Sequence, residues 1–179
     1  KFGESTAILA GNSLLTLAFE MIVDKNYNLE HKAKVELIKA LALCSGNSGI
    51  AGGQFLDLSF EKKKKIFSDI VSMQRKKTGK LFNFCFFAPG VIAKKKIVEL
   101  KFLSNLGEDV GLLFQLADDF IDFKSSKKIA GKLTKKDQKK GKSTIISLMG
   151  YKKANSFALQ LKRNILSKLR KHGKNANDL

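Results

Sequence analysis

The sequence predicts an all-α protein, and three observations support that class. The chain has 179 residues and a single proline, Pro89, so few positions oppose helix continuation. Apolar residues recur at helical spacing in several segments, and no segment alternates long enough to indicate a strand. The composition is 44% hydrophobic and 28% charged, which is typical of a folded domain and not of a disordered chain. The length corresponds to one domain, residues 1–179.

The helices are placed by their apolar periodicity and by the polar breaks between them. The first is apolar on nearly all sides, which predicts burial, and the fifth is rich in Phe. Residues 124–142 are poor in apolar side chains and rich in Lys and Gly, so we expect a loop or a loosely helical segment there. The predicted helices are 5–23, 29–44, 50–58, 61–76, 81–93, 96–123, 144–149 and 154–169.

The charge of the chain is strongly positive. Lys and Arg number 34 against 16 Asp and Glu, a formal net charge of +18. This excess favours polyanionic partners, either nucleic acid or phosphorylated small molecules. Only three of the basic residues are Arg, the side chain that most often reads bases, which opposes nucleic-acid recognition. A nucleotide bias of the source genome is an alternative explanation for part of the Lys excess.

The two cysteines and the apolar runs bear on the compartment. Cys44 and Cys85 have no spacing typical of a metal site or a disulfide framework, and both lie in apolar helical surroundings. We therefore expect core thiols in a reducing cytoplasm. The apolar run from Phe84 to Ala93 is far shorter than the roughly 20 residues that cross a bilayer, so no membrane span is predicted.

Three carboxylates, Asp118, Asp119 and Asp122, interrupt an otherwise apolar helix. Asp118 and Asp122 are four residues apart and share a helix face, with Asp119 beside them. Like charges this close repel, so the cluster is unfavourable unless a cation neutralises it. Divalent cations that bind carboxylates and substrate phosphates are the obvious candidates. A solvated acidic turn of an amphipathic helix is the alternative reading.

Three further clusters combine glycine with charged residues. They are 75–79 (RKKTG), 52–57 (GGQFLD), and the segment 131–144, which contains GK, Asp137 and GKST. Lysine beside glycine suits phosphate binding, since the ammonium supplies charge and glycine lets the backbone approach. GKST is not the end of a P-loop, because Lys136 stands where that motif needs glycine and no strand precedes it.

Taken together and in this order, the clusters resemble the motifs of the trans-prenyltransferases, the family of farnesyl and geranylgeranyl diphosphate synthases. Residues 114–122 (FQLADDFID) resemble its second Asp-rich motif, 77–79 its KTG motif, and 53–58 (GQFLDL) its GQxxDL motif. Residues 131–144 resemble its lysine-bearing segment, and 10–15 (AGNSLL) the segment usually written AGDxL. The resemblance runs nearly end to end and is strongest to the bacterial farnesyl diphosphate synthases. It implies an isoprenoid-synthase-type helical bundle around a central cavity.

Two residues depart from the family pattern. Asn12 replaces the usual Asp, and Ala117 stands where many members carry a second Gln. The first Asp-rich motif, its Arg pair and the upstream site for isopentenyl diphosphate would all precede Lys1. We therefore expect the C-terminal two-thirds of a synthase without its N-terminal helices, either as a fragment or as a truncated relative.

The resemblance implies transfer of a prenyl group from an allylic diphosphate, dimethylallyl or geranyl, to isopentenyl diphosphate. It assigns Mg²⁺ to Asp118, Asp119 and Asp122. It assigns stabilisation of the allylic cation to Thr78, Gln115 and the Lys77 carbonyl. A homodimer is also implied by the resemblance. The diphosphate would be held by Lys77, Lys132 and Lys142.

Several alternatives stay open from the sequence. A geranylgeranyl diphosphate synthase would carry the same motifs, since product length depends in this family mostly on residues that would precede Lys1. A non-catalytic prenyl-synthase-like subunit would also fit a chain without the first Asp-rich motif. A basic helical nucleic-acid-binding protein is the more remote alternative that the charge allows.

Overall fold

The protein is described by a computed structural model that covers residues 2–61, 63, 65–130 and 144–176. Every regular element in these ranges is a helix, which confirms the predicted all-α class. A π-helical turn, Arg75–Gly79, joins the fourth helix to the fifth, and a short 3-10 helix, Gly173–Ala176, follows the last. The helices are α1 (Glu4–Val23), α2 (His31–Ser45), α3 (Ile50–Phe60), α4 (Phe67–Gln74), α5 (Lys80–Ile92), α6 (Ile97–Ala130), α7 (Ile145–Met149) and α8 (Tyr151–Arg170).

Two predicted helix boundaries were wrong by more than three residues. A helix was expected over 61–76, whereas α4 begins at Phe67. Asp69 stabilises that start, because its carboxylate accepts a hydrogen bond from the Ile66 backbone N–H at 3.4 Å. At the other boundary, α6 was expected to end at Phe123 but continues to Ala130. The apolar pattern stops at Phe123, but Lys and Ser do not by themselves end a helix.

Helix α6 forms the centre of the main core. Its buried residues Leu106, Leu112 and Leu116 are at most 1% exposed, and they pack with side chains of α4, α7 and α8. Asp118 follows Leu116 by two residues, which places it nearly on the opposite side of the helix, and it is exposed. The core therefore fixes the rotation of α6, and with it the direction of the acidic cluster.

Helix α1 joins a second, smaller core only through its C-terminal half. Ile22 is buried with Leu37 and Leu41 of α2, whereas residues 2–17 are exposed. The predicted burial of α1 is therefore not observed within the described residues. Exposed apolar side chains in this helix include Ile8, Leu9, Leu14, Leu15 and Leu17.

Helix α1 is also the one helix in the described ranges that is long and apolar enough to cross a membrane, by length and composition alone. The sequence prediction rested only on the run from Phe84 to Ala93. Core helices of soluble proteins meet the same criterion, so this property is weak evidence for a span.

Close backbone packing holds the π-helical turn between two helices. A Cβ on Gly53 of α3 would lie 2.2 Å from the Lys77 nitrogen, and a Cβ on Gly111 of α6 would lie 2.7 Å from the Gly79 Cα. Only glycine permits these approaches, because real Cβ contacts are essentially never so short. Gly53 and Gly111 thus position the segment that carries Lys77 and Thr78.

Candidate active site

The site is built where the π-helical turn meets the middle of α6. A π-helical turn inserts an extra residue into a helix, and such turns often occur at functional sites. This one lies between α4 and α5, so it changes the direction in which Lys77 and Thr78 project from the helix axis. Both side chains are half-buried and belong to the predicted site.

Thr78 and Gln115 are in direct contact, although 37 residues separate them in the chain. The Thr78 hydroxyl donates to the Gln115 carbonyl Oε1 at 2.9 Å. The Gln115 amide nitrogen in turn donates to Asp119 Oδ1 at 3.0 Å. The structure therefore brings three of the predicted site residues into one hydrogen-bonded chain.

Gln74 extends this chain and was not predicted from the sequence. Its amide nitrogen donates to Asp119 Oδ2 at 3.0 Å, so both oxygens of that carboxylate accept from an amide. The side chain is only 4% exposed, and its own Oε1 has no hydrogen-bond partner in the part of the chain that the structure describes. A buried unpaired acceptor lowers the stability of a protein by about 1–3 kcal/mol, so the Gln74 carbonyl oxygen is destabilising at this position.

The Asp119 carboxyl has a pKa above its ordinary value. Burial is the main cause, because it disfavours the charged form. The negative charges of Asp118 and Asp122 raise the pKa further, whereas the hydrogen bonds from Gln115 and Gln74 lower it. Asp119 thus differs from its two neighbours, which are exposed on the same helix.

Asp118 and Asp122 present exposed carboxylates one helical turn apart. Among the described residues, no group of three or more His, Cys, Asp or Glu side chains is arranged to hold a metal by itself. Mg²⁺ does not need such a group, since it keeps several waters and is commonly bound by one or two carboxylates together with substrate phosphates. The donor set of these two residues therefore fits Mg²⁺, whose remaining ligands would be waters and substrate phosphates.

Lys77, predicted to bind diphosphate, forms an ion pair with Asp57 of α3. The two side chains are 32% and 18% exposed, so the pair is partly shielded from water. Asp57 belongs to the GQFLDL segment, whose role the sequence alone left unassigned. Through this ion pair, Asp57 of the GQFLDL segment orients the Lys77 ammonium beside the π-helical turn.

A second ionic cluster anchors the same turn from its start. Arg75 is 2.6 Å from Asp109, and Lys168 of α8 is 2.7 Å from the other oxygen of that carboxylate. Glu108 accepts from Lys80 at 2.6 Å and lies 3.7 Å from Arg75. These pairs tie the π-helical turn, α5 and α8 to one short stretch of α6.

Two of the predicted site residues cannot be placed. Lys132 and Lys142, expected to hold diphosphate, lie outside the described residues. The sequence also missed Gln74 and the Arg75–Asp109 pair. No spacing rule could have found these contacts, because they join residues 34 or more positions apart.

A surface pocket of about 270 Å³ lies elsewhere, between α5 and α6. Its lining includes Leu100 and Ser104, whereas the acidic cluster begins at Asp118. At 1.5 Å per residue, Leu100 and Asp118 are about 27 Å apart along the helix axis. The pocket is therefore separate from the predicted site.

Comparison with known proteins identifies relatives along nearly the whole chain. The model of the family described as polyprenyl synthetase matches residues 1–178. The chain is 37% identical over 150 residues to the farnesyl diphosphate synthase of Micrococcus luteus, covering 84% of this chain and 51% of the relative. It is 35% identical over 166 residues to geranylgeranyl pyrophosphate synthase 4 of Arabidopsis thaliana, covering 91% and 44%.

Solved structures give the same result. An FPP/GFPP synthase from Zymomonas mobilis superposes with a TM-score of 0.79 at 32% identity, covering 98% of this chain and 59% of the other. A geranyltransferase from Helicobacter pylori, complexed with magnesium and isoprenyl diphosphate, superposes with a TM-score of 0.78 at 34% identity, covering 94% and 55%. These likenesses confirm the isoprenoid-synthase-type bundle expected from the resemblance.

The chain spans about half the length of the curated relatives it matches. The residues that the family model matches, 1–178, contain every motif that carried the sequence resemblance. The chain therefore belongs to the polyprenyl synthetase family.

Proposed function

We propose that the complete protein is a short-chain prenyl diphosphate synthase of the farnesyl diphosphate synthase type. The observation that carries this proposal is the hydrogen-bonded chain from Thr78 through Gln115 to Asp119. It brings the Thr78 hydroxyl oxygen of the π-helical turn next to the Gln115 carbonyl oxygen of α6. The next turn of α6 exposes Asp118 and Asp122. A relative named farnesyl diphosphate synthase supports the proposed reaction class.

In the proposed reaction, the bond between C1 and oxygen of the allylic diphosphate breaks and diphosphate leaves. The double bond of isopentenyl diphosphate attacks the resulting cation, a new carbon–carbon bond forms, and a proton is lost. The Thr78 hydroxyl oxygen and the Gln115 carbonyl oxygen would stabilise the positive charge at C1. The Lys77 carbonyl, on the same π-helical turn, would contribute a third oxygen.

The leaving diphosphate requires positive charge. Lys77 would supply it from the π-helical turn, where Asp57 holds its ammonium, and Lys132 and Lys142 would supply more. Asp118 and Asp122, with Asp119 beside them, form the proposed Mg²⁺ side of the site. When bound, Mg²⁺ would neutralise the charge that develops on the diphosphate.

Water must be kept away from an allylic cation, since water would react with the cation to form an alcohol. Phe114 precedes Gln115 and is 57% exposed, and its ring lies 5.3 Å from the Phe82 ring of α5. We propose that these rings form part of the apolar wall around the substrate chain.

Assembly as a cytoplasmic homodimer is also part of the proposal. We take the exposed apolar side chains of α1 as support for the dimer, because a large exposed apolar patch is typical of a contact surface. Light scattering of the complete protein tests the dimer, and a monomer at micromolar concentration would contradict it.

The test of the proposed function is product analysis of the complete protein with Mg²⁺, isopentenyl diphosphate and allylic diphosphates of increasing length. We expect farnesyl diphosphate from dimethylallyl and geranyl diphosphates. A geranylgeranyl product would favour the second candidate, which a relative named geranylgeranyl pyrophosphate synthase supports. Absence of any condensation product would contradict both.

Lys142→Ala examines the proposed diphosphate site within the same assay. We expect a higher Michaelis constant for the allylic substrate, because one cation of the diphosphate site is lost. An unchanged Michaelis constant with an unchanged rate would remove Lys142 from the site.

A further inference from the structure

We propose that Asp119 is a positioning residue for Gln115, and that its carboxylate selects the amide orientation in which the Gln115 carbonyl oxygen faces Thr78. This inference rests on the proposed prenyl transfer and deepens it. It gives the three aspartates different roles: Asp118 and Asp122 would bind Mg²⁺, whereas Asp119 orients the side-chain amide of Gln115.

The first argument is the direction of the hydrogen bonds. An ionised carboxylate only accepts, so Asp119 takes the nitrogen end of the Gln115 amide, at 3.0 Å. The carbonyl end of the amide must then point away, and it accepts from the Thr78 hydroxyl at 2.9 Å. A hydroxyl can donate or accept, so Thr78 alone would not select between the two orientations. Asp119 makes that selection.

The second argument is that Asp119 is itself fixed from another helix. Gln74 of α4 donates to Asp119 Oδ2 at 3.0 Å, so neither carboxylate oxygen lacks an amide donor. Gln74 is almost completely buried and leaves its own carbonyl oxygen without a partner among the described residues. An apolar residue would avoid that unpaired atom, and the contact with Asp119 accounts for an amide at this position.

The third argument is the contrast between neighbouring aspartates. Asp118 and Asp122 are exposed on α6, whereas Asp119 is half-buried and turned toward α4. A residue whose two oxygens face amide donors inside the protein is poorly placed for an external cation. The same three carboxylates, equivalent by spacing, are therefore unequal in the folded protein.

The orientation of Gln115 matters because the ends of an amide differ in polarity. With the carbonyl oxygen toward the substrate, Gln115 presents negative potential to the allylic cation. With the amide inverted, it would present N–H groups of positive potential to the same carbon. Loss of the selection should lower the rate of ionisation more than it lowers substrate binding.

The decisive experiment is an exchange of the two functional groups in the complete protein. Asp119→Asn alone removes the selection, and we expect kcat to fall about 10- to 100-fold, as for a slightly misplaced catalytic group, with the allylic Michaelis constant changed less than about threefold. The double variant Asp119→Asn with Gln115→Glu should again place a side-chain oxygen of residue 115 toward Thr78. In that variant the new amide at position 119 would donate to the new carboxylate at position 115 and still accept from Gln74. We expect the double variant to recover kcat to within about tenfold of wild type.

Two outcomes overturn the inference while leaving the proposed function intact. One is an active wild type in which the double variant is no faster than Asp119→Asn. The other is a loss of Mn²⁺ affinity in Asp119→Asn as large as the loss in Asp122→Asn. Binding of Mn²⁺ is measured by electron paramagnetic resonance in the presence of inorganic diphosphate. We expect at least about a tenfold loss for Asp122→Asn and less than about threefold for Asp119→Asn. A wild type without prenyl transfer overturns the proposed function, and this inference with it.

Gln74→Met keeps the test valid if Asp119→Asn does not fold. This substitution removes the second donor to Asp119 and leaves every charge unchanged. We expect a lower kcat, an unchanged allylic Michaelis constant and unchanged Mn²⁺ binding. Wild-type kcat in Gln74→Met would contradict the inference.

Discussion

The guanidinium of Arg75 lies 2.6 Å from the carboxylate of Asp109 and ties the first residue of the π-helical turn to α6. Lys168 of α8 contacts the other oxygen of the same carboxylate at 2.7 Å. The Asp109 side chain is 13% exposed, so this carboxylate depends on its partners for solvation. The Asp109 carboxylate of α6 is thus ion-paired to both the π-helical turn and α8.

Arg75→Met should destabilise the protein by about 1–3 kcal/mol, between the values of exposed and fully buried ion pairs. The methionine keeps an apolar stem but leaves Asp109 with one partner fewer. Chemical denaturation of the complete protein measures the change. The control is Lys95→Met, because the Lys95–Glu99 pair has both side chains 49% exposed and should contribute less than about 0.5 kcal/mol. Equal losses in the two variants would contradict the prediction.

The stability of the protein should fall at acidic pH in part through Asp109. Burial by itself would raise the pKa of this carboxyl, but the hydrogen bonds and charges of Lys168 and Arg75 outweigh it and lower the pKa. A lowered folded pKa stabilises the protein above the unfolded value of about 3.9, and the stabilisation is lost as pH falls through the folded pKa. Glu108 and Lys80 lie in the adjoining ionic cluster, and the pKa of Asp109 is lowered with both of them present.

Asp109→Asn checks this pH dependence. The difference in unfolding free energy between wild type and variant should be largest near pH 6 and should shrink as pH falls below about 4. Denaturation curves at several pH values measure it. A difference that stays constant down to about pH 3 would show that another group causes the acid sensitivity.

Gly53→Ala should displace the π-helical turn and lower activity. The new Cβ would lie 2.2 Å from the Lys77 nitrogen and 2.5 Å from its Cα, and backbone atoms cannot yield cheaply. We expect kcat to fall at least about tenfold, since small displacements of catalytic groups have effects of this size. Ala51→Ser on the same helix is the control, because Ala51 is exposed. Normal turnover in Gly53→Ala would mean that the turn can shift without affecting the site.

Sequence reasoning succeeded where a feature is local. The all-α class followed from periodicity, and Asp118 and Asp122 were assigned to one face because a helix turns once in about 3.6 residues. It failed where contacts join distant segments. Nothing in the spacing relates Gln74 to Asp119, or Arg75 to Asp109, because the packing of α4 and the π-helical turn against α6 creates these pairs.

The late start of α4 and the π-helical turn after it were missed for different reasons. Charged residues before Phe67 were read as part of a helix, although Asp69 bonded to the Ile66 backbone is a start signal that the sequence contains. The π-helical turn could not be predicted, because nothing in the residue types of Arg75–Gly79 specifies it and its geometry depends on the close approach of Gly53 and Gly111.

Asp118→Ala in the complete protein should lower the rate of prenyl transfer by orders of magnitude and weaken its dependence on Mg²⁺. The substitution removes one of two exposed carboxylates that face solvent on the same turn of α6, so the charge on the leaving diphosphate would be less well neutralised. Initial rates measured across a range of Mg²⁺ concentrations test this expectation. Glu61→Ala, which removes an equal charge from an exposed position after α3, should leave both the rate and the Mg²⁺ dependence unchanged. Near-normal turnover by Asp118→Ala, with the Mg²⁺ dependence of wild type, would remove the acidic cluster from the reaction and leave its like charges without an explanation.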